Sequence, residues 1–153
     1  MQNVIRERTS KFLSRLLKTE RVGDFIKENK NGMEERKLPE YLLDMCETKG
    51  LAAHEVIKRA EIERSYGHQI FHGRHAPSRD KAIQLAFGFG LNLEETQALL
   101  RQAKHSALYP KLERDAVIIF CIDRQMSLLE TQDMLLENGL ETFDFGEKRH
   151  EQK

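Results

Sequence analysis

An all-α fold is the class this sequence predicts, and three observations predict it. Among 153 residues Leu occurs 19 times, Ile 9 times and Val only 4 times, with 18 Glu, 3 Pro and no Trp; that composition suits helices better than strands. Apolar residues recur at helical spacing, as in Phe12, Leu13, Leu16 and Leu17, the period of an amphipathic helix. Capping boxes stand before two such runs, Asn92 with Glu95 and Ser127 with Glu130. Each pairs a side-chain acceptor with a carboxylate three residues on.

The elements follow in order. Ile5, Phe12, Leu13, Leu16 and Leu17 predict an amphipathic helix from about Asn3 to Lys18, and Val22, Phe25 and Ile26 predict a shorter one. The stretch NKNGMEERK (29–37) has no apolar period and reads as a linker. Pro39 opens the next helix, where its missing N–H costs nothing, and Gly50 ends it as a C′ glycine would. Two short helices, 52–60 and 64–71, are separated only by Glu61-Ile62-Glu63. Such short helices are unstable alone. Their Val56, Ile57, Ala60, Ile62, Ile70 and Phe71 are expected to pack on Leu42, Met45 and Ile83. Gly73 closes the second of them, and Ser78 caps a helix running to about Gly88. The helices at Leu93–Ala103 and Leu128–Asn138 follow their capping boxes, with a break at Tyr109-Pro110. Phe143 and Phe145 are expected to fold back. The predicted organisation is an N-terminal helical arm and linker (1–37), a five-helix domain (38–104), a C-terminal hairpin (105–143) and a charged tail (144–153).

An internal repeat sharpens this reading. Arg79–Leu100 aligns without gaps on Arg114–Leu135 at an offset of 35, with eight of 22 positions identical; ordinary composition gives roughly one or two by chance. The matches include Arg79/Arg114, Asp80/Asp115, Ile83/Ile118, Gln97/Gln132 and Leu100/Leu135. Two copies of one helical hairpin are expected to stack, each with Asp in its first turn. Ala116–Ile122, which composition alone would allow as a buried strand, becomes a helix by its alignment with Lys81–Phe87. A helix so apolar needs cover on every side, from the two hairpins or from a second copy. Ile118 should then be buried as Ile83 is, and Leu128 and Leu135 as Leu93 and Leu100 are.

Charge and motifs exclude several classes. The 25 Lys and Arg balance 25 Asp and Glu, but unevenly along the chain. Residues 1–37 carry ten basic and six acidic side chains, and residues 110–153 carry six and ten. The longest apolar run, Ala116–Ile122, has seven residues against the ~20 a membrane helix needs. Met1–Lys11 is polar and charged, unlike a secretory leader. Cys46 and Cys121 lie 75 residues apart, without metal or redox spacing, as reduced thiols of a cytoplasmic protein would. No phosphate loop, nucleophile elbow, zinc-protease or dinucleotide motif occurs. Neither catalysis nor a cofactor is expected. His68 and His72 stand four apart on one helix, with His75 following, but no Cys or carboxylate completes a metal set.

The second short helix carries the functional signal. Arg64, Ser65, Tyr66, His68 and Gln69 form a donor-rich face on a helix of major-groove width. The segment from KGLAAHEVIKRAEIERSYGHQIFHGRHAPSRD through LNLEETQALL resembles an XRE-type, lambda-repressor-like helix-turn-helix domain of Gram-positive bacteria. The pattern E-V-I-K-R-A-x-I, S-Y-x-x-Q-I-F-x-G, P-S-R-D carries the resemblance, which spans about Leu38 to Leu140. It implies a sequence-specific DNA-binding transcription regulator whose second short helix enters the major groove of double-stranded DNA. Base contacts would come from Arg64, Ser65, His68 and Gln69, and phosphate contacts from Tyr66, Arg74 and Arg79. Arg79 shares its Arg-Asp context with Arg114, so a helix-start ion pair is the competing role for both. A homodimer reading two half-sites is expected, with the arm and Ala116–Ile122 as interfaces. A protein partner at the C-terminal hairpin is the other expected contact. The chain departs from the family pattern at Ala52, Ala53, Glu61 and Glu63. Carboxylates beside a groove-entering helix oppose a phosphate backbone. That keeps a second class open: an interaction adaptor in a signalling pathway that uses the same fold without binding DNA.

Overall fold

The computed structural model describes residues 9–33 and 36–146. Its described residues are helical, with no strand among them, so the chain is all-α. The sequence-predicted helix turn at residues 3–8 and the tail beyond 146 lie outside the described residues. The chain divides into two compact units, Met1–Arg36 and Lys37–Lys153.

The first unit holds α1 (Thr9–Lys18), α2 (Val22–Glu28) and the one-turn α3 (Lys30–Met33). The predicted linker therefore contains a helical turn, whose first hydrogen bond runs from the Met33 N–H to the Asn29 carbonyl at 3.1 Å.

The second unit begins with α4 (Leu38–Lys49), opened by Pro39 and ended by Gly50 at φ +68°. Next come α5 (Ala53–Arg59) and α6 (Arg64–Phe71), joined by a turn in which Glu61 adopts φ +57°. An L-residue with a Cβ pays ~1–2 kcal/mol for that left-handed conformation. Helix α7 (Arg79–Phe89) follows its Ser78 cap, and α8 (Leu93–Gln102) follows Asn92. Helices α9 (Glu113–Asp123) and α10 (Leu128–Glu137) form the second hairpin.

Two apolar clusters fill this unit. In the first, Leu42, Val56, Ile57, Ala60, Ile62, Ile70 and Phe71 pack with Leu85, Phe89 and Leu99, and Met45 lies at its edge. The second joins Ile83 and Leu100 to Ile118, Leu128, Leu135 and Phe143. Ile83 thus packs against the second hairpin and not against the short helices as the sequence suggested. Helix α7 is buried from Ala82 to Ala86 on all sides, so it serves both clusters at once. Gln84 is fully buried in that run, and its Nε2 donates to the Ala60 carbonyl at 2.9 Å, tying the end of α5 to α7.

The repeat is visible in side-chain detail. Both capping boxes are formed: Asn92 and Ser127 accept from the Glu95 and Glu130 N–H groups, which return the bond through their carboxylates. Gln97 exchanges two hydrogen bonds with the Leu108 backbone, and Gln132 does the same with Phe143, 35 residues on. Ile83, Ile118, Leu100 and Leu135 are fully buried and Leu128 nearly so, while Leu93 is half-buried. The Arg-Asp pairs cross between the copies. Arg79 grips Asp115 with Nη1 at 3.2 Å and Nη2 at 2.9 Å, and Arg114 grips Asp80 with both Nη atoms at 2.9 Å. Helix α7 packs on α10 as α9 packs on α8. This reciprocity belongs to two halves related by an approximate two-fold axis.

Within one chain the two hairpins cover helix α9 on its inner side only. Ile118, Cys121 and Ile122 face inward, but Phe120 is 40% exposed, with the Arg124 guanidinium 3.8 Å from its ring centroid. A cation over the ring face shields it where no apolar neighbour does. Cys46 and Cys121 are free and buried, and burial pushes both thiols up from their ordinary range. Raised thiols are poor nucleophiles.

Candidate nucleic-acid interface

Helix α6 owes its position to three inward residues. Ile70 and Phe71 are buried in the first cluster, and Gly67 is buried against α5. A Cβ on Gly67 would stand 2.5 Å from Ile57 Cγ2 and 2.8 Å from Cγ1, so the glycine is there for close helix approach. Its remaining face is the outward one.

That face carries a shallow depression of about 500 Å³ lined by Glu63, Arg64, Ser65, His68, Gln69, His72 and Arg74. Arg64, Ser65 and Arg74 are exposed, whereas His68 and Gln69 are half-buried. Five of the seven sequence-predicted contact residues therefore surround one concavity. The other two do not line it. Tyr66 packs at the edge of the first cluster, its ring centroid 5.2 Å from that of His75. Arg79 points the other way in bonding terms. Its Nε donates to the Ser106 carbonyl at 3.0 Å, one Nη2 bond goes to the Ala107 carbonyl at 3.0 Å, and both Nη atoms hold Asp115. A guanidinium has five N–H donors, so four bonds inside the fold leave little to offer a ligand.

Sequence reading treated Glu63 as a departure from pattern, and the structure gives it a job. Its carboxylate caps α6, accepting from the Tyr66 N–H at 2.9 Å and the Ser65 N–H at 3.0 Å. Those bonds, Tyr66 first, hold its carboxyl below the usual range. The Glu63 carboxylate thus stays ionised at physiological pH, and it satisfies N–H groups that an incoming anion would otherwise meet. As the folded carboxyl titrates lower than the unfolded one, its contribution to stability is complete above the ordinary Glu range. It is lost as pH falls through the lowered value. Ala52, by contrast, contributes no side-chain cap to α5; the Glu55 carboxylate accepts the Ala52 N–H at 2.8 Å instead.

Gln84 is the residue sequence reasoning missed. It fixes the turn between α5 and α6 through Ala60, and the available signal was one amide inside the apolar run Ala82–Phe87. No group of three or more His, Cys, Asp or Glu suited to a metal occurs among the described residues. No helix among them is long and apolar enough to cross a membrane.

No protein-family model, curated protein or solved structure matches the chain.

Glu63→Ser separates the cap from the charge. Ser caps a helix about as well as a carboxylate, so stability should change by less than ~0.5 kcal/mol in a urea titration. If a phosphate backbone approaches this face, loss of one nearby carboxylate should tighten DNA binding on the order of 3- to 10-fold at low salt. Fluorescence anisotropy with a labelled duplex reads the change.

Proposed function

We propose that residues 38–104 are a lambda-repressor-like, XRE-type helix-turn-helix domain. In this reading the protein is a sequence-specific transcription regulator of the cytoplasm that binds double-stranded DNA without catalysis. One observation carries the reading: α6 stands on a rigid base with Arg64, Ser65, His68, Gln69 and Arg74 around a single open concavity. An α-helix with its side chains is about 10–12 Å across, a width the major groove admits, and α6 has eight residues. Arg64 at the helix start is the group for a bidentate base contact. Arg74 follows the helix at the loop, where a phosphate contact is expected.

Binding to random and genomic duplexes, measured at two salt concentrations, is the test. Arg64→Ala should weaken specific binding by about 1–3 kcal/mol and relax one base preference. Arg74→Ala should weaken all sequences alike and flatten the salt slope by roughly one unit. Absence of any salt-dependent affinity at micromolar protein ends this reading.

The second reading is the interaction adaptor, and Glu63 at the N-terminus of α6 favours it. Residues 50–82 carry only six basic against four acidic side chains. Leu129 and Leu136 are 54% and 69% exposed on α10, which supports a protein contact at the C-terminal hairpin.

A further inference from the structure

Three turns of the second unit meet around a cleft of about 520 Å³, a size within the roughly 300–1,000 Å³ of small-molecule sites. Arg59 and Glu61 come from the α5–α6 turn, and Gly90 and Leu91 from the turn after α7. Residues 125–130 come from the α9–α10 turn and the start of α10. Leu91, Ile122 and Leu128 on this lining are buried, and Phe87 and Met126 are half-buried, so the floor is apolar. Leu129 is exposed at the lip. The cleft shares no lining residue with the depression beside α6.

The polar side chains on the lining are not equivalent. Glu130 accepts the Ser127 N–H at 2.8 Å and Ser127 accepts the Glu130 N–H at 3.0 Å, so both serve their capping box. Glu61 also has a partner. The Arg59 guanidinium and the Gln125 amide make no hydrogen bond or ion pair with the described residues. Arg59 is exposed, and a Cβ on Gly90 would stand 3.7 Å from its Nη2. Gln125 repeats Gly90 at the 35-residue offset. Both are left-handed, at φ +71° for Gly90 and +58° for Gln125. Glycine adopts that conformation freely, whereas a glutamine loses ~1–2 kcal/mol. One turn is thus built without strain in the first copy and with strain in the second, and the strained copy sets an amide on the cleft. Glu61, at φ +57°, is a second strained residue on the same lining. Strain of this kind gathers where ligands are held.

We infer that the cleft is a binding site for a small amphipathic carboxylate, an apolar chain or ring with one anionic head. The apolar body lies on Leu91, Ile122 and Leu128. The head takes paired N–H donors from Arg59, a geometry the guanidinium fork fits, and a further one from the Gln125 amide. Charge selects the head. Of Arg59, Glu61 and Glu130 on the lining, only Arg59 is without a partner, and a cationic head would meet it with like charge. A bound molecule touches the α5–α6 turn and the start of α10 together, so it ties the base of α6 to the second hairpin. Binding needs no DNA, so it stands or falls separately from the proposed function.

Octanoate, octanol and octylamine offer one tail with three heads, and NMR titration of the isotope-labelled full chain without DNA compares them. Octanoate should saturate one site and move the amide signals of Gly90, Gln125 and Leu129. Octylamine should bind at least about 10-fold more weakly. Arg59→Gln should weaken octanoate about 10-fold or more and leave octanol within about twofold of the wild type. Gln125→Gly should raise the urea midpoint, because it relieves the left-handed glutamine, and still weaken octanoate about threefold or more. Leu129→Glu, a change at an exposed position, should weaken octanoate by setting another carboxylate at the lip. Octanoate that does not saturate at millimolar concentration overturns the proposal. So does octanoate that binds no tighter than octylamine, or that ignores either Arg59→Gln or Gln125→Gly. Signal changes confined to Leu13, Leu17 or Leu136 also overturn it, since the tail would then be coating exposed apolar surface.

Discussion

Asp115→Ala is expected to cost about 3 kcal/mol of stability, and Asp80→Ala about 1 kcal/mol. The two carboxylates occupy equivalent places in the repeat, and each is gripped by the other copy's arginine. Their surroundings differ. The Asp115 side chain is 4% exposed and that of Asp80 is 34% exposed. Asp115 also accepts the Tyr109 N–H at 2.9 Å. Its removal leaves the Tyr109 N–H without its acceptor and takes the carboxylate from Arg79, which keeps only the Ser106 and Ala107 carbonyls; a buried donor left unpaired costs its full desolvation. Asp80 is partly hydrated already, and its removal leaves Arg114 still bonded to the Glu141 carbonyl and lying over the Phe143 ring. Urea unfolding followed by circular dichroism measures both differences. Equal losses would mean that the approximate two-fold symmetry, and not burial, sets the strength of the clasps.

The repeat made much of this fold legible in the sequence. Alignment of 114–135 on 79–100 places α9, the Ser127 capping box and the buried positions Ile118 and Leu135, and the structure has all of them. What alignment does not carry is the partner. The dipeptides Arg79-Asp80 and Arg114-Asp115 read equally well as ion pairs at their own helix starts, and only the packing of one hairpin on the other sends each arginine across. A similar limit applies to Ile83. Helix α7 is apolar on every side, so its period cannot say which side faces which cluster. Phe120 is the part of the apolar run 116–122 that the second hairpin does not cover, and the sequence could not tell it from Ile118 because a neighbouring cation, Arg124, lies over its ring. For the candidate interface, the sequence-predicted Arg64, Ser65, His68, Gln69 and Arg74 line one depression. Arg79 looked the same in sequence, because exposure of a guanidinium depends on which carbonyls the fold brings to it. Gly67 has no side chain to read in the sequence, and only its distance to Ile57 shows that it serves the approach of α6 to α5.

Helix α5 is held between two glycines, and adding a methyl group to either should be felt strongly. At Gly88 a Cβ would stand 2.5 Å from the Val56 carbonyl oxygen and 3.1 Å from both Val56 Cγ1 and Ala60 Cβ. The first obstacle is backbone, so α5 and α7 must part along their contact. Gly88→Ala gains ~1 kcal/mol in helix propensity and is still expected to lose about 2–3 kcal/mol net, as overpacking a fixed core does. At Gly67 the nearest obstacles all belong to the Ile57 side chain, which is 2% exposed in a close-packed core. Gly67→Ala should lose about 1–2 kcal/mol. The two sites differ in how they can be rescued. Ile57→Ala alone opens a cavity worth ~2–4 kcal/mol, but combined with Gly67→Ala it removes the clash and part of the cavity is filled. The double variant should therefore be more stable than the sum of the singles by at least ~1 kcal/mol, a coupling expected only of side chains in contact. Ile57→Ala should give Gly88→Ala no such relief, since the oxygen of Val56 stays where it is. Denaturant titrations of the five chains decide between these outcomes. Additive losses at Gly67 and Ile57 would remove the contact that seats α6, and with it the rigid base on which Arg64, Ser65, His68 and Gln69 are presented.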